Sequence, residues 1–141
     1  MVFESNGRGS SRGQRYCRTR RTADGGYPYL GYLIRFGRWT IYHAGGCTLY
    51  DSLAARLQPF NVNVALLPIL HNAANRAPHS AGPAGFLVNE AAQLAEEIGA
   101  EWVVPMNFDD STDFVAHLLG QRPAQRFKVF QPGEKWTVPE D

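Results

Sequence analysis

Apolar residues along this chain recur with two periods. Tyr27 to Phe36 (YPYLGYLIRF) is rich in aromatic and β-branched residues, Gly37-Arg38 reads as a tight turn, and Trp39 to His43 follows, a pattern that predicts a β-hairpin. Leu49, Leu53 and Leu57 then recur at helical spacing, with Thr48 or Asp51 as cap and Pro59 as the stop. Val62 to Pro68 (VNVALLP) is a nearly continuous apolar run of strand length, as expected for a strand buried on both faces.

Ile69 to Gly85 has no periodicity and bears Asn, His, Pro and Gly, the mark of a functional loop or a remnant of one. Phe86 to Ala100 carries the clearest helical stripe: Leu87, Ala91, Leu94, Ala95 and Ile98, with Asn89 as N-cap and Gly99 at the C-terminal stop. Glu101 to Pro105 reads as a short strand, Thr112 to Leu119 as a short helix ending at Gly120, and Phe127 to Phe130 with Lys135 to Val138 as a closing hairpin around Pro132-Gly133. The order ββαβαβαββ is an α/β arrangement, one mixed sheet covered by helices on one face.

Composition adds boundaries. The 141 residues, 44% hydrophobic and 19% charged, suit one globular domain with a real core. The net charge is +1, but residues 1–26 hold six arginines against Glu4 and Asp24, a local +4, which leaves −3 on residues 27–141. The chain therefore divides into a disordered Arg-rich arm (1–26) and a folded domain (27–141). With Tyr16 as the one aromatic among those arginines, a solvated tail is favoured over nucleic-acid binding. The Arg- and Ser-rich start also has the composition of an organelle transit segment, and it lacks the apolar core of a secretory signal. Cys17 and Cys47 make no disulfide framework or zinc-finger spacing, and no apolar run is long enough to span a membrane, so a cytoplasmic setting is expected.

Polar residues collect at two strand ends, His43 to Thr48 and Asn107 to Asp110, where α/β proteins place ligands. The segments IYHAGGCTLYDSLAARL, NVALLPI, NEAAQLAEEIGA, WVVPMNFD and QPGEKWT resemble the C-terminal half of a metallo-β-lactamase-superfamily hydrolase, nearest its ascorbate-6-phosphate-lactonase-like branch, over roughly Gly31 to Val138. The resemblance implies half of an αββα sandwich. It also implies a strand-end Asp bridging two metal ions and a later strand-end His ligating one of them.

Position by position, that Asp falls on Gly46 and that His on Asn107, while Asn63 stands where the family has an Asp opening a strand. The family's His-x-His-x-Asp-His motif has no counterpart, since the first histidine here is His43. Glycine donates nothing, and an amide oxygen is a poor zinc ligand. No cofactor is therefore expected unless His43, Cys47 and Asp109 rebuild a zinc or manganese site, against which stand their ordinary structural roles. His71, Asn72 and His79 are the candidate substrate loop, and His117 is read as structural.

Half a sandwich would leave one sheet face open at Leu33, Ile41, Val64 and Leu66 or their alternating neighbours, a surface for a homodimer or a partner chain. The first expectation is a truncated, ligand-depleted domain without catalysis of its own. The alternatives are a metal-dependent hydrolase of a small ester, lactone or phosphorylated substrate completed by a partner chain, and nucleic-acid binding through the arm.

Overall fold

The computed structural model describes residues 2–4, 30–70, 85–106 and 124–139, the first three as strand backbone. Among them lies one six-stranded mixed sheet in sequential order: β1 (Val2–Glu4), β2 (Leu30–Phe36), β3 (Trp39–His43), β4 (Val64–Pro68), β5 (Trp102–Met106) and β6 (Arg126–Phe127). The first two pairings are antiparallel and the last three parallel. Two helices, α1 (Leu53–Leu57) and α2 (Val88–Ile98), form the connections that parallel pairing demands.

The register sorts side chains between the two faces. Leu33, Tyr42, Ala65 and Val103 stand side by side across β2 to β5 and build the core with Leu53, Leu57, Phe86, Leu94 and Ile98. Phe86 and Leu94 are fully buried, so truncating Leu94 to Ala removes about 2–5 kcal/mol of stability. The opposite face carries the row Ile34, Ile41, Val64 and Trp102, and beside it Tyr32, His43, Leu66 and Val104. Leu33 thus belongs to the helix-covered face, while Ile41, Val64 and Leu66 lie on the other, as strand alternation allows. Over the β5 side of that second face, Trp136 sits edge-on to Trp102 at 5.1 Å and Phe130 edge-on to Trp136 at 5.7 Å. On β2, Tyr32, Ile34 and Phe36 remain exposed.

Several boundaries differ from the pattern reading. Val2–Glu4 pair with β2, so the arm assigned as disordered contributes a strand at its start; residues 5–26 lie outside the described residues. α1 is a single five-residue turn capped at Ser52, without a side-chain bond, in place of Thr48 or Asp51. The α-helix stops at Leu57, before Pro59, and a 3-10 turn, Gln58–Phe60, carries the chain on to Asn61 at φ 49°. At α2, Asn89 lies inside the helix, and Glu90 Oε2 accepts the Leu87 backbone N–H at 3.0 Å. Gly99 closes the helix at φ 69°, as its position predicts.

The closing hairpin is absent. Arg126–Phe127 pairs parallel with β5, and Lys135 to Val138 forms no strand, because Gln131 and Glu134 close a turn around Gly133 and the following chain is held by Trp136. The helix expected over Thr112 to Leu119 lies outside the described residues.

Candidate functional site

The three parallel strands β3, β4 and β5 bring their C-terminal ends together: His43 pairs with Leu66, and Pro68 with Met106. The chain leaves β3 in a turn that must double back tightly. Gly45 has φ +61°, and a Cβ there would stand 2.2 Å from the Leu30 carbonyl oxygen, so only glycine fits. Its neighbour is anchored by the Ala44 N–H, which donates to the Leu66 carbonyl at 3.0 Å.

Two side chains of this turn are bonded to its own backbone. The Gly45 N–H donates to His43 Nδ1 at 3.1 Å, and the half-buried imidazole is engaged on that side. The Cys47 thiol is 2% exposed and donates to the Thr48 carbonyl at 3.2 Å. Gly46, half-buried beside them, has no side chain. Among the described residues no group of three or more His, Cys, Asp or Glu could hold a metal ion. Within the turn itself the nitrogen and sulfur donors are His43 and Cys47, fewer than the three or four protein ligands a zinc site takes.

Asn107 and Asp109, which follow β5, and His71, Asn72 and His79 lie outside the described residues, as does His117. Of the expected Cys-His-Asp set, the structure places His43 and Cys47 on one turn.

Asn63 has a role the sequence does not announce. It sits at the N-terminal end of the parallel strands, opposite the turn. Its Oδ1 accepts the Thr40 N–H at 2.8 Å, its Nδ2 donates to Glu101 Oε1 at 2.9 Å, its own N–H donates to the Thr40 carbonyl, and its carbonyl accepts the Trp102 N–H. One amide thus ties β3, β4 and β5. A cleft of about 220 Å³ lies beside it, lined by Arg38, Trp39, Asn63, Glu101 and Pro139. The Arg38 guanidinium stands 4.9 Å from the Trp39 ring centroid, and Glu101 is engaged by Asn63, so these groups serve one another.

Known proteins share this architecture. No family model matches the chain. A UPF0173 metal-dependent hydrolase of Pyrobaculum aerophilum is 31% identical over 124 residues, covering 83% of this chain and 49% of the relative. The structure of Igni18, a metallo hydrolase from Ignicoccus hospitalis, superposes with a TM-score of 0.63 at 24% identity, over 87% of this chain and 51% of that one. The metallo-β-lactamase fold protein YhfI from Bacillus subtilis superposes with a TM-score of 0.57 at 16% identity, over 77% of this chain and 44% of that one.

The chain has the metallo-β-lactamase fold of these structures and is similar in sequence to UPF0173 metal-dependent hydrolases. It spans about half the length of the relatives it matches. In the strand-end turn Gly46 has no side chain, His43 Nδ1 accepts the Gly45 N–H and the Cys47 thiol donates to the Thr48 carbonyl. No helix among the described residues is long and apolar enough to cross a membrane.

Proposed function

We propose that this chain is a ligand-depleted metallo-β-lactamase-fold domain without catalysis of its own. The observation that carries this reading is the turn after β3. The position to which the superfamily resemblance assigns a bridging carboxylate is Gly46, and its neighbours His43, through Nδ1, and Cys47 are bonded to the turn's own backbone. A hydrolase that activates water on a metal needs ligands that hold the ion and depress the water's pKa. Asn107, at the other assigned position, is a neutral amide. The test is hydrolysis of a panel of small esters, lactones and phosphorylated compounds by the purified chain with added zinc or manganese. Rates at the no-protein background are expected; turnover abolished by a chelator would overturn the reading. Gly46→Asp with Asn107→His sharpens it, since tight zinc uptake by that variant would show that the scaffold still admits a site.

A second reading has the domain complete a hydrolase with a partner chain or a second copy. The observation in its favour is the exposed apolar row Tyr32, Ile34 and Phe36 on the face opposite the helices, a surface of the kind that associates. It requires a stable complex, visible by sedimentation, and metal-dependent turnover in the complex alone.

A further inference from the structure

We infer that the β3–α1 turn locks His43 in the tautomer whose Nε2 cannot ligate a metal and whose Nδ1 is occupied by the Gly45 N–H, so that the turn is a structural clasp. This deepens the ligand-depleted reading above, on separate observations. The Gly45 N–H points at His43 Nδ1 from 3.1 Å, so in the neutral imidazole Nδ1 carries the lone pair and Nε2 carries the proton. A metal at Nε2 requires the opposite tautomer, with the proton on Nδ1. That proton would face the Gly45 N–H donor to donor. Metal-bound histidines show the reverse arrangement, their second nitrogen donating to a carbonyl or carboxylate. A metal at Nδ1 would have to displace the Gly45 N–H.

That N–H cannot swing away freely. Gly45 is pressed against the Leu30 carbonyl, where a Cβ would meet oxygen at 2.2 Å, and Ala44 is pinned to the Leu66 carbonyl. On the other side of Gly46, Cys47 is packed in the core with its thiol on the Thr48 carbonyl. The turn thus packs against β2, bonds β4 through the Ala44 N–H and closes on its own imidazole.

The test is nitrogen-15 NMR of the full chain at about pH 8, above the ordinary imidazole range, titrated with zinc chloride. The expected spectrum shows His43 with Nε2 protonated and Nδ1 bare, and neither its signals nor the Gly45 amide move with zinc. A His43 protonated on Nδ1, or zinc-induced shifts confined to His43 and Gly45, would overturn the inference. Two variants guard against zinc held elsewhere in the chain. His43→Gln and His43→Ala should leave total zinc uptake unchanged, whereas loss of uptake in both would place the ion on His43. The outcomes separate the two proposals. Metal-dependent turnover with an unmoved His43 defeats the functional reading alone, and zinc on His43 without turnover defeats this inference alone.

Discussion

The two ends of the parallel strands are held together by opposite means. At the N-terminal end a side chain does it: the Asn63 amide bridges Thr40 and Glu101 while its backbone joins the neighbouring strands. At the C-terminal end the backbone does it: Gly45 folds against Leu30, Ala44 bonds Leu66, and His43 closes on its own turn. In open α/β sheets the C-terminal end is where ligands bind. Here that end has the turn of a binding site and the bonding of a structural joint.

The contrast can be broken most severely at Gly45. Gly45→Ala places a Cβ on the Leu30 carbonyl at a left-handed φ, and a loss of about 3–4 kcal/mol is expected in denaturant unfolding. A loss under 1 kcal/mol would mean that the turn yields easily and is no joint.

At the other end the expected loss is smaller. Asn63→Ala leaves the Thr40 N–H without its side-chain acceptor, at a cost of about 1–3 kcal/mol. Asn63→Asp keeps that acceptor but sets a second carboxylate against Glu101, so its defect should shrink when Glu101→Gln is added. Equal defects with and without the Glu101 change would show that the amide–carboxylate bond contributes nothing.

The least effect is expected at the exposed Lys128–Glu134 pair. Lys128 and the Gln131 N–H both hold the Glu134 carboxyl below its ordinary pKa. A lowered folded-state value means the contribution is present above the ordinary carboxylate range and is lost as pH falls through the lowered value. Glu134→Gln should remove that slight acid-side dependence and leave neutral-pH stability almost unchanged, since exposed pairs are screened. A clear drop in Tm at neutral pH would assign the pair a structural role.

Much of the fold is legible in the residues because local rules and tertiary demands agree there. Leu30 to His43 folds as a hairpin around Gly37, the apolar run ending at Pro68 is a central strand, and Gly99 stops α2 where its missing Cβ permits φ 69°. Legibility fails where the sheet decides. Arg126–Phe127 is a strand because β5 leaves an edge to pair with, and the local sequence, with Pro132-Gly133 near, reads as a hairpin instead. Val2–Glu4 is too short to carry a period of its own and gains its structure from β2.

For the candidate site, the glycine at position 46 and its flanking residues His43 and Cys47 are readable in the sequence. Their engagement is not, because it depends on a 3.1 Å contact within the turn and on core packing around a thiol. Asn63 shows the converse case. An amide in place of an acid reads as a loss, and the structure gives it a donor's task toward Glu101.

The most direct test of the central claim, that this turn has exchanged metal chemistry for structural bonding, is elemental analysis of the purified chain for zinc and manganese after mild dialysis. Well under one equivalent of either metal is expected, with the fold intact by circular dichroism. One equivalent or more, lost together with His43 on substitution, would contradict it.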